Sequence, residues 1–221
     1  MYFLYLIQLL NIIIAFFTIV IGLRSFRTLK ENRVLLLIPV FSLAQIILTE
    51  LKGLVREVEF STFTNNMISI YIYLEFIFII IYLWKLSKTL RHKAFSIALI
   101  PLGIVSIIIS LCYVNIIRPL KVEILSLIEG PIILITALLI NIELIKKGNI
   151  KNYSRDSNLI ATFGIIFSFI ISWPTSIVQN NLLSYSSPFY KLNFIYNSIA
   201  YMILFSLLSY SFYVTRKYRT I

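Results

Sequence analysis

The stretch YFLYLIQLLNIIIAFFTIVIGL (residues 2–23) runs for 22 residues without a charged side chain. A helix needs about 20 mostly apolar residues to cross the hydrocarbon core of a bilayer, so this stretch predicts a transmembrane helix. Six further stretches of similar character follow it along the chain. The seven predicted spans lie at residues 2–23, 34–54, 67–86, 95–116, 124–145, 159–179 and 192–214.

These spans account for nearly all of the 221 residues, of which 59% are hydrophobic. A soluble domain needs far more polar residues than this to cover its surface. We therefore predict an all-α membrane protein, a single seven-transmembrane helix bundle over residues 1–221 with no soluble domain.

Positive charge alternates between the two sides of the predicted bundle. Of the 20 Lys and Arg residues, 15 follow spans one, three, five and seven, and 5 lie on the other side. Cytoplasmic loops carry the excess of Lys and Arg, which predicts an N-terminus outside and a C-terminus inside, in a multi-pass protein of the plasma (cytoplasmic) membrane. The net charge of +11 therefore reports topology, and no nucleic-acid partner is expected.

Several kinds of chemistry lack the residues that they need. The chain has one histidine, His92, and one cysteine, Cys112, so we expect no metal site and no haem or other cofactor. No histidine is present at membrane depth to activate a serine nucleophile. The seventh span has no lysine that could hold retinal as a Schiff base. We therefore expect that the protein is not an enzyme.

Polar residues inside the spans recur at steps of three and four, so those of one span share a helix face. One interpretation is helix packing, because small and weakly polar residues line the contacts between membrane helices. The stripes are Gln8, Asn11, Ala15, Thr18 and Gly22 in span one; Ser42, Gln45, Thr49 and Lys52 in span two; Tyr71, Glu75 and Tyr82 in span three; Glu129, Thr136 and Glu143 in span five; Ser168, Ser172, Thr175 and Gln179 in span six; and Asn193, Asn197 and Tyr201 in span seven.

The larger polar groups concentrate in the outer half of the spans or near mid-depth, which packing explains less well. Amides, carboxylates and phenols that several helices bring to a similar depth predict a polar pocket open to the outside. The inner halves carry smaller polar groups, for which packing is a sufficient explanation. The predicted pocket residues are Glu75, Glu129, Tyr71, Asn11, Gln45, Asn193, Asn197 and Tyr201.

Glu75 and Glu129 are the most informative members of this set. A carboxylate at bilayer depth is costly and by default marks a functional site, and no Lys or Arg lies at a comparable depth. Two interpretations stay open. Either the glutamates are protonated and donate structural hydrogen bonds to Tyr or Asn neighbours, or they are charged and face a wet cavity that admits a cation or an amine.

The stretch NNMISIYIYLEF (residues 65–76), with its Asn-Asn lead and its Tyr-x3-Glu, resembles the third span of an uncharacterised family of small seven-helix integral membrane proteins common in Bacteroidota. Glu129 in the fifth span and Asn193-x3-Asn197 in the seventh fit the same pattern. The resemblance covers the full length, although its motifs are short. It implies a seven-helix fold and directs attention to Tyr71 and Glu75, but it implies no activity.

These features favour a receptor-like or sensory module that binds a small polar or cationic ligand from outside. Such a module passes the signal to a cytoplasmic or membrane partner protein. A small-solute or proton-coupled transporter, with Glu75 or Glu129 as the proton carrier and Pro131 and Pro174 as hinges, is the first alternative. A membrane scaffold or pore subunit of a larger assembly, in which the stripes are oligomer contacts within the lipid bilayer, is the second.

Overall fold

The structure, a computed structural model, describes residues 2–54, 58–87, 101, 120–147, 154–182 and 188–219. No strand occurs in these ranges, and the predicted fourth span (95–116) lies outside the described helices. The elements are α1 (Tyr2–Arg24), the 3-10 helix η1 (Lys30–Leu36), α2 (Leu37–Leu54), α3 (Val58–Leu86), α4 (Leu120–Lys147), α5 (Ser157–Leu182) and α6 (Pro188–Arg219).

Four described segments are helical, long and apolar enough to cross a bilayer. They are Leu4–Arg24, Asn32–Thr49, Ser157–Pro174 and Lys191–Tyr218. The predicted all-α membrane character is therefore confirmed, whereas the count of seven spans and their orientation stay predictions.

Two helical elements begin before the predicted spans. Helix α3 begins at Val58, nine residues before the predicted third span, because the mostly polar stretch 58–66 ends the apolar segment without ending the helix. Apolar length reports how much of a helix lies in hydrocarbon, not how long the helix is. The predicted second span also begins as η1, a tighter helix that continues directly into α2 at Leu37.

The described helices form a closed ring. Each of the helices α1 to α5 packs against the next helix along the chain, and α6 packs against α1. Helices α1 and α6 are parallel, because Thr18 of α1 lies beside Phe205 and Ser209, and Gly22 further along lies beside Phe212. Thr18 Oγ1 is 2.7 Å from Ser209 Oγ and 3.0 Å from the Phe205 carbonyl oxygen. The first and last helices are therefore tied together by buried hydroxyls.

Helix α1 buries its polar stripe against other helices and exposes large apolar side chains on its opposite side. In the predicted stripe of α1, Asn11, Ala15, Thr18 and Gly22 are buried and Gln8 is half-buried. The same helix exposes its large apolar residues on the opposite side. Those exposed to more than half of their surface are Tyr5, Leu6, Leu9, Phe16, Phe17 and Leu23. The stripe of α1 thus faces other helices, and its apolar face is available to lipid tails.

The basic residues gather at one end of the ring, here called the basic end. Every Lys and Arg side chain that the structure describes is exposed, and all but Lys191 lie where α1, α3, α4 and α6 end and where α2 and α5 begin. Apart from Lys191, the described basic residues therefore share one end of the helix ring. The residues are Arg24, Arg27, Arg33, Lys85, Lys146, Arg155, Arg216 and Lys217.

Candidate functional site

Glu75 is the one charged residue that is buried among the side chains that the structure describes. It is 8% exposed and lies inside α3, about five helical turns after Val58 and about three before Leu86. Glu143 and Asp156, by contrast, are half-buried near helix ends. Glu75 is therefore buried well away from both ends of α3, whereas the depth of its carboxylate in a membrane stays a prediction.

Tyr201 holds this carboxylate from the far side of the ring. Its phenol Oη donates a hydrogen bond to Glu75 Oε2 at 3.0 Å. Tyr201 belongs to α6, which is not next to α3 in the ring, so the bond crosses the interior. The ring of Tyr201 in turn packs against Phe205, with centroids 5.7 Å apart. A pair separated by 126 residues in sequence thus joins two opposite helices.

Tyr71 and Ser42 complete the cluster. Tyr71 lies one helical turn before Glu75, is 4% exposed, and its hydroxyl interacts with Glu75 and with Ser42 of α2. That hydroxyl makes no hydrogen bond of normal geometry with the described residues. Phe41 covers the cluster from α2, with its centroid 6.5 Å from that of Tyr71. The carboxylate therefore sits between two phenols, one bonded to it and one close by.

No cation balances the Glu75 carboxylate within the described part of the chain. The basic side chains there are exposed and lie at the helix ends. An unpaired charge in a dry interior is strongly unfavourable, and the phenol hydrogen bonds offset only part of that cost. The site therefore has the chemistry to accept a proton, or to bind a small cation or a protonated amine.

The predicted amides of α6 lie on the same helix face as Tyr201, because 193, 197 and 201 are spaced by one turn. Asn193 is 6% exposed and Asn197 is half-buried. Asn197 Nδ2 donates to Asn193 Oδ1 at 3.4 Å. These two amides form a polar track along α6 that leads from the end opposite the basic end toward Tyr201.

The remaining predicted residues are only partly placed. Asn11 of α1 is 7% exposed, and its Oδ1 has no hydrogen-bond partner among the described residues. Gln45 of α2 is half-buried. The side chain of Glu129 lies outside the described residues. The structure thus brings together Tyr71, Glu75 and Tyr201, and it shows no bond from Asn11 or Gln45 to them.

Between Glu75 and the basic end, helices α3 and α6 carry large side chains that have no exposed surface. They are Ile79, Ile80, Tyr82 and Leu83 of α3, and Leu204, Phe205, Leu208 and Phe212 of α6. Among the described residues, these buried side chains separate the Glu75 cluster from the basic end.

A cavity of about 380 Å³ lies elsewhere, between α1 and α2. None of the predicted site residues lines it. Its walls are entirely apolar and consist of Ile12, Ile13, Phe16, Phe17, Leu43, Ile46 and Ile47. The chemistry of this cavity suits hydrocarbon and is distinct from that of the Glu75 cluster.

A second buried polar cluster lies near the basic end, where no sequence motif marks it. Ser211 Oγ of α6 donates to the Ser157 carbonyl oxygen of α5 at 2.7 Å and accepts from Asn32 Nδ2 of η1 at 3.1 Å. Ser211 has no exposed surface and Asn32 is 1% exposed. One serine thereby joins three elements.

Two further contacts extend this cluster around the ring. Tyr82 Oη of α3 donates to the Asn158 carbonyl oxygen at 3.2 Å, and Thr162 of α5 is hydrogen-bonded to Asn141 of α4. Helices α3 to α6 and η1 are thus linked by polar contacts near one level. We call this set the basal network: Asn32, Tyr82, Asn141, Ser157, Asn158, Thr162 and Ser211.

The expectation that the larger polar groups concentrate away from the basic end is therefore incomplete. Asparagines 32, 141 and 158 lie near that end, where packing of small residues was expected. The network satisfies them only in part, because Asn32 Oδ1, Asn141 Nδ2 and Asn158 Oδ1 are buried without a hydrogen-bond partner among the described residues.

The chain matches no protein-family model, and no curated protein and no solved structure is similar to it. The described residues also hold no group of three or more His, Cys, Asp or Glu side chains that could bind a metal ion. The chemistry of the site is that of one buried carboxylate, its two neighbouring phenols and the buried side chains beside them.

Proposed function

We propose that this chain is a receptor-like or sensory membrane protein that binds a small cationic ligand, such as a protonated amine, at Glu75. The observation that carries the proposal is the buried carboxylate with two phenols and no described counter-cation. A charged group at such depth is costly to retain unless it does chemical work. A bound ammonium group supplies the missing positive charge and can donate to the carboxylate.

Aromatic rings strengthen this preference for a cation. The phenols of Tyr71 and Tyr201 flank Glu75, and ring faces attract ammonium groups, by about 2 kcal/mol or more where water is excluded. Phe41 and Phe205 extend the aromatic wall on either side. A carboxylate set among aromatic rings is a combination that favours amines over anions or neutral sugars.

The closed half of the interior favours a receptor over a transporter or a channel. Side chains without exposed surface fill the space between Glu75 and the basic end. In the proposed orientation, with the N-terminus outside and the basic end in the cytoplasm, the ligand enters from outside along the Asn193–Asn197 track and goes no further. Ligand binding then changes the Glu75–Tyr201 contact, and α6 transmits the change toward a cytoplasmic partner.

Amine-dependent stabilisation tests this proposal. The purified chain in detergent is heated in the presence of ammonium, methylammonium, choline or putrescine chloride, with sodium chloride added to hold ionic strength constant. We expect at least one amine to raise the unfolding temperature in a saturable way, because a ligand at 100 times its Kd stabilises the folded state by about 2.7 kcal/mol. Glu75→Gln is expected to remove this response.

Glu143→Gln is the matched control, because it removes a carboxylate from a half-buried position near the end of α4. This variant is expected to respond to the amine as the natural chain does. The proposal is wrong if no amine stabilises the natural chain, or if Glu75→Gln responds to the same extent.

A further inference from the structure

The start of α5 and the end of α6 are fastened together at the basic end. Tyr210 Oη donates to the Ser154 carbonyl oxygen at 3.2 Å, and Ser211 Oγ donates to the Ser157 carbonyl oxygen at 2.7 Å. These bonds fix Arg155, which lies between the two acceptors in sequence, beside the last turns of α6. The position of Arg155 is thus set by neighbouring backbone contacts.

Two cationic side chains lie close to one aromatic ring at the basic end. The Arg155 guanidinium carbon lies 5.1 Å from the centre of the Tyr218 ring, and Lys217 Nζ lies 5.5 Å from the same centre. Lys217 Nζ is also 5.8 Å from the centre of the Tyr213 ring. Attraction to the ring holds both cations within 5.5 Å of its centre, and both side chains are exposed.

Neither cation forms an ion pair with the described residues. The carboxylate next to Arg155 in sequence belongs to Asp156, whose Oδ1 accepts hydrogen bonds from the backbone amides of Asn158 at 2.9 Å and Leu159 at 3.2 Å. Asp156 therefore caps the start of α5. Two cations near one ring, without a paired carboxylate among the described residues, can bind an anion.

The position of Arg155 and Lys217 at the end of a membrane-compatible helix indicates which anion would bind them. The membrane-crossing segment Lys191–Tyr218 ends at this ring, and Tyr210, Tyr213 and Tyr218 are exposed around it. Exposed tyrosines of this kind lie at the level of lipid headgroups. An anionic phospholipid places its phosphate at this level, because its acyl chains lie in the adjoining hydrocarbon.

We propose that Arg155, Tyr213, Lys217 and Tyr218 form a binding site for the phosphate of an anionic phospholipid headgroup, here called the headgroup site. The guanidinium fork of Arg155 matches two phosphate oxygens, and Lys217 adds a flexible point charge. The phenol of Tyr218 is a further donor. This proposal does not depend on the Glu75 ligand.

Lipid titration of the purified chain tests the headgroup site. Short-chain phosphatidylglycerol or phosphatidylcholine is added in neutral detergent at 150 mM salt, and native mass spectrometry counts the lipids bound. We expect one phosphatidylglycerol to bind in preference to phosphatidylcholine. Arg155→Gln with Lys217→Gln is expected to weaken that binding about 30-fold, because each cation near a membrane surface contributes about 1 kcal/mol.

Two control variants separate a built site from diffuse charge. Arg24→Gln with Lys146→Gln removes the same charge from the basic end at residues outside the cluster, and screening within about 8 Å is expected to limit its effect to less than about 3-fold. Tyr218→Leu keeps every charge but removes the shared ring, and it is expected to weaken binding about 3-fold.

The headgroup site is refuted by any of three results. The Arg155 and Lys217 double variant binds phosphatidylglycerol as the natural chain does, or the Arg24 and Lys146 variant loses as much affinity, or millimolar inorganic phosphate displaces the lipid. The last result would assign the cations to a soluble anion. Unfolding temperatures in phosphatidylcholine establish that each variant is folded, and Arg155→Lys provides a milder substitution of the same group.

Discussion

Gly130→Leu is expected to destabilise the protein by about 1–3 kcal/mol, the usual cost of inserting extra atoms into a packed interior. Gly130 of α4 lies directly under the indole ring of Trp173 on α5, and a Cβ at this position would overlap ring atoms Cγ and Cδ1. The indole is a rigid ring, so none of its atoms can move away from the added Cβ without the others. The added side chain must therefore displace the whole ring or separate α4 from α5.

A double-mutant cycle measures this contact directly. Unfolding of the detergent-purified natural chain, Gly130→Leu, Trp173→Ala and the double variant is followed by circular dichroism. Because Trp173→Ala removes the ring that the leucine strikes, we expect Gly130→Leu to cost clearly less in the Trp173→Ala background. Equal costs in the two backgrounds would show that the indole does not pack on this glycine.

Ser211→Ala is expected to destabilise the protein by about 1–2 kcal/mol. The change leaves Asn32 Nδ2 and the Ser157 carbonyl oxygen without the partner that each now has, and buried groups without partners carry a penalty of about this size. It also loosens the connection of η1 and α5 to α6. Proteolysis of the basic-end loops should therefore become faster.

Ser206→Ala is the matched control, because Ser206 lies on the same helix but is exposed. Its unfolding temperature and its proteolysis rate are expected to equal those of the natural chain. The basal network would lose its structural role if Ser211→Ala and Ser206→Ala behaved alike in both measurements.

The sequence predicted the helical, membrane-compatible character of the chain, which four described segments confirm, but not where the helices begin. Stretches of about 20 apolar residues identify membrane segments because lipid offers the backbone no hydrogen-bond partners. The early start of α3 at Val58 and the 3-10 start of η1 at Lys30 were not predicted. At these positions the chain leaves the hydrocarbon, and polar residues are then compatible with a continuing helix.

The candidate site was predicted one helix at a time. Of the residues in the predicted polar stripes, Asn11, Thr18, Tyr71 and Glu75 are buried, whereas Thr49 is exposed. The pairing of Glu75 with Tyr201 could not be predicted, because spacing within one helix carries no information on which distant helix faces it. The ring order of the helices decides that pairing.

The basal network shows a second limit of sequence reasoning. Asn32 lies in a predicted loop, and Asn141 and Ser211 each interrupt an otherwise apolar stretch without a recurring motif. Single polar residues of this kind become informative only when their partners are known. A lone asparagine near a helix end is as compatible with exposure as with the buried contacts that it makes here.

We propose that the chain retains Glu75 for its ligand and not for the stability of the fold. The most direct test is the unfolding temperature of Glu75→Gln against the natural chain without added amine. Glutamine keeps an acceptor for Tyr201 Oη and removes the buried negative charge, so we expect Glu75→Gln to be as stable as the natural chain or more stable. A variant less stable by more than about 1 kcal/mol, the usual contribution of a hydrogen bond, would contradict the claim and make Glu75 a structural residue.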